Sequence, residues 1–236
     1  MITKRMAAAL AAAALITQGC FFLRITPSGH MSGTLKIFGR FSADTGGVSV
    51  ESSGAAEVPS DIRAVFQAGV PAGEPVDLVF VVDATGSMRD DIDAVRADMH
   101  SILDSLTATN PDRRLGIVVY RDVGDDFVSK TVLTLNADES EIVEAIGSIE
   151  VDGGGDTREH VYAGIDTALT EQPWREGASQ HIVLMGDAPP HDDYADDPRT
   201  YESVIALAQT PPLSVSIHTI GIQCDADCRA GIASGD

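Results

Sequence analysis

Seven consecutive residues, Val76-Asp77-Leu78-Val79-Phe80-Val81-Val82, form the most hydrophobic strand-like run in the chain. Such a run has no polar face to offer water, so it belongs inside a sheet that is covered on both sides. From Val76 onward, patterns of strand and helix period alternate. Asp90 to Leu106 places Ile92, Val95, Met99, Ile102, Leu103 and Leu106 on one helical face, and Asn110-Pro111 stops it. Leu115 to Tyr120 reads as a second buried strand, and Phe127 to Leu135 alternates around Lys130 as an edge strand does. Asp138 with Glu141 predicts a capping box that opens a helix to Ile149. A helix from Arg158 to Leu169, a strand from His181 to Met185, a helix opened by Asp197-Pro198 and a strand from Leu213 to Ile222 complete the series. This alternation predicts an α/β fold: a Rossmann-like, doubly wound, mostly parallel sheet with one antiparallel edge strand and helices on both faces. Right-handed crossovers follow.

At 236 residues the chain has room for one well-buried domain and an appendage. Its net charge of −20 argues against nucleic acid or anionic lipid as the main partner. Residues 1–20 read as a targeting segment, with Lys4 and Arg5 ahead of the apolar run Met6 to Ile16. That run is too short to span a bilayer, which takes about 20 residues. Leu15-Ile16-Thr17-Gln18-Gly19-Cys20 resembles a bacterial lipoprotein signal, which implies lipidation of Cys20 and an exported protein held at a membrane only by its lipid. A plain cleaved signal is the rival reading. In an oxidising compartment Cys224 and Cys228 would then pair as a disulfide. Zinc takes about four ligands and only His218 is placed nearby, so zinc is the weaker reading. Residues 21–75, rich in Gly, Ser, Ala and Pro, read as a tether. Within it Thr34 to Phe41 and Val48 to Glu51 are expected to pair as a hairpin across Ser42 to Gly47.

Ligands of open parallel sheets bind beyond the carboxyl ends of the strands, where the strand order reverses. Asp83, Asp122 and Asp187 each end a predicted strand, and Asp156 follows the three glycines Gly153-Gly154-Gly155. Asp83-Ala84-Thr85-Gly86-Ser87 adds two hydroxyls in a tight turn. Two carboxylates about 4 Å apart repel by roughly 4 kcal/mol at an effective dielectric of about 20. A hard divalent cation removes that repulsion, and oxygen-only donors suit Mg²⁺, with Mn²⁺ or Ca²⁺ as alternatives. Each residue also has a plainer reading. Asp83 could cap a turn, Asp156 with Glu159 could be a capping box, Asp187 could terminate a strand, and Asp122 could pair with Arg121 or Arg158. His191 reads as a loop histidine.

Taken together, Asp83-Ala84-Thr85-Gly86-Ser87, Tyr120-Arg121-Asp122, Gly154-Gly155-Asp156 with Glu159, and Gly186-Asp187-Ala188-Pro189-Pro190-His191 resemble a von Willebrand factor type A (vWA) domain with a metal-ion-dependent adhesion site. The resemblance runs from Val76 to the end and is similar to the branch found beside α-kinases, although the chain has no room for a kinase domain. It implies a non-enzymatic binding module. Thr85 and Ser87 would meet the ion directly, Asp83 and Asp187 mainly through water, and a partner protein would add an Asp or Glu carboxylate. Two departures stand out. Asp156 occupies a position where most members carry Thr, a role Thr157 could take, and the chain stops soon after its last strand. Either this copy is truncated or Cys224 and Cys228 staple a shortened edge. Two other classes fit fragments of the sequence. Asp83 resembles the nucleophile of haloacid-dehalogenase-type phosphotransferases, with Lys130 as the only lysine after Lys36. A scaffold with a vestigial site is the third reading.

Overall fold

The computed structural model describes residues 32–155, 158–191 and 197–223. In chain order the elements are α1 (Ser32–Thr45), β1 (Ser49–Ser52), α2 (Val58–Gly69), β2 (Val76–Asp83), α3 (Arg89–Thr109), β3 (Arg113–Tyr120), β4 (Ser129–Asn136), α4 (Glu139–Gly147), α5 (Val161–Glu171), β5 (Ser179–Gly186), α6 (Tyr201–Ala208) and β6 (Val215–Ile222). They form one six-stranded sheet in the order β1-β6-β5-β2-β3-β4. Every pairing is parallel except β3 with β4, which is antiparallel at the edge, so the predicted architecture is the observed one. Every residue of β2 is buried. Its alternate side chains feed two separate cores. Leu78, Phe80 and Val82 pack with α2, α3 and α4, while Val79 and Val81 pack with α1, α5 and α6. All six residues predicted for the apolar face of α3 are buried.

The segment before Val76 departs from expectation. In place of a tether with a hairpin, it contributes α1, β1 and α2 to the domain, and β1 adds to the sheet in parallel beside β6. The run Thr34 to Phe41 satisfies a helical spacing as well as a two-residue one. The helix wins because Thr34, Phe38, Phe41 and Ser42 then share one buried face. Ser42 Oγ lies 3.0 Å from Thr219 Oγ1, and Ile217 N–H donates to Thr45 Oγ1, which docks α1 on β6. Val58, Ile62, Val65 and Phe66 give α2 the same kind of face. Among the described residues no helix is long and apolar enough to cross a membrane. Residues 1–31 with Cys20, and Cys224 and Cys228, lie outside the described residues.

Two helix starts also shift. α6 begins at Tyr201 and is capped by Thr200, whose hydroxyl accepts from Ser203 N–H while Ser203 Oγ accepts from Thr200 N–H. Asp197 instead binds the Arg199 guanidinium and His160. α5 begins at Val161 with His160 as its cap, so Glu159 stands outside the helix. Asp138 does cap α4, accepting from Ser140 and Glu141 N–H, but the Glu141 carboxylate turns to Asn136.

Candidate metal centre

The chain runs from β2 out to β3 and β4, then returns to lay β5 on the other side of β2. The strand order therefore reverses between β2 and β5, and their carboxyl ends carry Asp83 and Asp187. Asp83 is fully buried. Its Oδ1 accepts from Thr85 N–H at 3.0 Å and from Thr85 Oγ1 at 2.6 Å. Thr85 Oγ1 lies 3.3 Å from Ser87 Oγ, and the Ser87 hydroxyl in turn bonds the Asp187 carboxylate. A continuous chain of oxygens thus links Asp83, Thr85, Ser87 and Asp187.

Backbone bonds hold this turn in place. Ala84 N–H donates to Tyr120 O, Asp152 N–H to Ala84 O, and Gly86 N–H to Gly153 O. Arg121 donates to Ala84 O at 3.1 Å and Glu150 O at 2.8 Å, with Phe127 stacked on its guanidinium. A Cβ at Gly186 would stand 2.4 Å from the Tyr120 hydroxyl oxygen and 3.3 Å from Asp83 Oδ2. Gly154 has φ +83°, and a Cβ there would lie 3.0 Å from Thr85 Cβ and 3.3 Å from Glu159 Oε1. Only glycine allows both the left-handed turn and so close an approach.

The electrostatics point one way. Burial, then the Asp187 charge, push the Asp83 carboxyl up to about 8 against the two Thr85 hydrogen bonds. Burial likewise raises Asp187. Glu159 is pushed up to about 10 by burial and by Asp83, Asp122, Asp187 and Asp125. Asp83 Oδ2 and Glu159 Oε2 are both buried with no hydrogen-bond partner. Leaving such atoms unsatisfied is costly, and both are oxygen acceptors of the kind a hard cation takes. No three His, Cys, Asp or Glu side chains among the described residues converge closely enough to hold an ion alone. The Thr85 and Ser87 hydroxyls make up that deficit, so the donor set fits a hard divalent cation.

Of the residues predicted from sequence, Asp83, Thr85, Ser87 and Asp187 come together, while Asp156 and Thr157 lie outside the described residues. Asp122 is buried beside this edge, 3.9 Å from His191 Nε2, and Asp125 reaches Gly154 N–H. Glu159, which the sequence offers both as part of the glycine-rich motif and as a capping-box partner, is not the latter. Its spacing from Asp156 imitates a capping box, and only the start of α5 at Val161 shows otherwise. The phosphotransferase reading gains nothing, because the Lys130 ammonium sits over the Phe127 ring, 4.2 Å from its centroid.

The chain is similar to several known proteins over parts of its length. An α-protein kinase of Dictyostelium discoideum, vwkA, is 31% identical over 135 residues, covering 56% of this chain and 21% of that protein. A putative ariadne-like RING finger protein of Acanthamoeba polyphaga mimivirus is 28% identical over 116 residues, covering 49% of this chain and 11% of that one. The chain thus spans only a small part of either relative's length. Among solved structures, the SpRpn10 VWA domain aligns with a TM-score of 0.43 at 16% identity, over 68% of this chain and 94% of that one. The pilus adhesin SpaC of Lactobacillus rhamnosus GG aligns with a TM-score of 0.39 at 24% identity, over 50% and 15%. The family model for the von Willebrand factor A domain matches residues 77–227, from the second residue of β2 to beyond β6. By that match the chain belongs to the von Willebrand factor A domain family.

Proposed function

We propose that this domain is a non-enzymatic protein-binding module whose grip on its partner runs through a divalent cation, Mg²⁺ in the first instance and Mn²⁺ or Ca²⁺ as substitutes. The observation that carries the reading is the linked set Asp83, Thr85, Ser87 and Asp187 at the switch point of the sheet, with Asp83 Oδ2 buried and unsatisfied. Thr85 and Ser87 would hold the ion through neutral hydroxyls, with Asp83 and Asp187 behind them and Asp156 or Thr157 adding an oxygen from the glycine-rich loop. When bound, the cation supplies a Lewis-acidic position for an Asp or Glu carboxylate of the partner. Neutral hydroxyl ligands leave positive charge uncancelled, which is what an anionic partner group needs. Export and membrane attachment through a lipid on Cys20 belong to the same reading, as does display in a bacterial cell envelope. In it no nucleic acid takes part.

Millimolar Mg²⁺ is expected to raise the melting temperature, by a free energy of about 2.7 kcal/mol when ligand is at about 100 times its dissociation constant. Asp83→Ala abolishes that shift and also the chelator-sensitive capture of partner from envelope extract. An unaltered chain that melts at the same temperature with Mg²⁺ and with chelator refutes the proposal.

A further inference from the structure

Glu159 is 3% exposed, and its Oε2 has no hydrogen-bond partner. Its backbone is pinned from several directions. Its N–H donates to Pro189 O, its carbonyl accepts from Val161 and His191 N–H, and it forms a parallel bridge with Pro190. The main chain is thereby fixed at the junction with the loop after β5, and the side chain is buried there. Inside, Glu159 Oε1 and Thr85 Cβ flank Gly154 at 3.3 Å and 3.0 Å from the position a Cβ would take there. Among the described residues Glu159 makes no ion pair, and the Arg121 guanidinium donates to the carbonyls of Ala84 and Glu150. Asp83 Oδ2 shares the same deficiency. Two buried carboxyl oxygens without partners, one on each side of the Gly154 turn and Thr85, are costly unless a positive charge answers them.

We infer that Glu159 is a further oxygen ligand of the cation beside Thr85, reaching it from the turn that precedes α5. This inference rests on the metal-dependent reading of the site. It deepens that reading by adding one charged ligand to the neutral hydroxyls of Thr85 and Ser87: the cation is then retained before any partner arrives, and a divalent ion with one such ligand still keeps positive charge for the partner's carboxylate. Affinity in oxygen sites rises with the number of charged ligands.

Titration calorimetry of the full chain with Mn²⁺ alone tests this. Glu159→Gln keeps the shape and removes the charge, and it is expected to weaken Mn²⁺ binding by about 10- to 100-fold. Glu159→Asp keeps the charge on a shorter stem and is expected to fall between the two. In chelator, where no cation answers the buried carboxyl, the Gln variant is expected to melt at or above the temperature of the unaltered chain. If Glu159→Gln binds Mn²⁺ like the unaltered chain while Asp83→Ala does not, Glu159 is no ligand although the metal site stands. If the Gln variant loses binding but also melts lower in chelator, its role is structural and the inference fails. An unaltered chain that takes up no Mn²⁺ overturns both this inference and the reading beneath it.

Discussion

His181 and His218 show how fully single side chains can be determined by their surroundings. Val48 N–H donates to His218 Nδ1 at 3.0 Å, so that nitrogen carries no proton and the His218 proton sits on Nε2. From there it donates to His181 Nδ1 at 2.9 Å, which leaves the His181 proton on Nε2, facing Ser179 Oγ at 2.7 Å. One tautomer of each ring is thereby fixed. Gly69 of α2 closes the site, since a Cβ there would stand 2.4 Å from the His218 ring. Burial pushes His181 down to about 4, and burial together with His181 pushes His218 down to about 3. Unfolded histidine titrates near 6.5. The neutral pair therefore contributes its full stability above pH 6.5 and loses it as pH falls toward about 4 and about 3, by up to ~1.4 kcal/mol per pH unit for each ring. Urea unfolding at a series of pH values is expected to show this slope. A His181→Gln/His218→Gln chain is expected to show a flatter one between pH 6.5 and 4.5, and parallel slopes would contradict the assignment.

At the scale of elements, the chain was legible wherever one periodicity dominated. α3 shows its six apolar positions at unambiguous helical spacing, and β2 is too apolar to be anything but central. Legibility failed at α1, where Leu35, Ile37, Gly39 and Phe41 mimic strand alternation while Phe38 and Phe41 supply the helical face that is buried. No local rule chooses between those patterns. The presence of β6, far along the chain, does, because it offers Ile217 and Thr219 to the polar edge of the helix. The site divides in the same way. Asp83, Thr85 and Ser87 are readable as one turn, whereas the place of Glu159 depends on where α5 starts. Phe38→Ala removes a fully buried ring from the α1 interface and is expected to cost about 3–5 kcal/mol in urea unfolding. A cost below 1 kcal/mol would mean that α1 is not integral to the domain.

Seen as a whole, the molecule buries acidic side chains at both ends of one strand, in opposite environments. At the amino end of β2 the buried Asp77 accepts two bonds from the Arg114 guanidinium, at 2.9 and 2.6 Å, and two from Arg175, through its backbone N–H at 2.7 Å and its Nε at 2.9 Å. Burial raises the Asp77 carboxyl, but these bonds and charges outweigh it and hold the group below the usual carboxylate range. At the carboxyl end, about 20 Å away, Asp83 and Glu159 are raised, each with an oxygen left without a partner. Asp77→Ala is expected to destabilise by about 2–4 kcal/mol, less than a fully buried pair because both guanidinium groups can turn toward water. That loss is expected to be the same with and without Mg²⁺, and additive with Asp83→Ala at this separation. A Mg²⁺-dependent cost at Asp77 would mean the two ends communicate.

The reversal of strand order between β2 and β5 has a consequence for the life of the chain. Asp83 is made early and Asp187 late, and nothing brings them side by side until β5 has inserted against β2. A ribosome-bound or prematurely cut polypeptide that ends before β5 would carry Thr85 and Ser87 and still lack the carboxylate that Ser87 bonds. Engagement of a partner through this edge would therefore certify that folding has finished, and half-made copies would be silent.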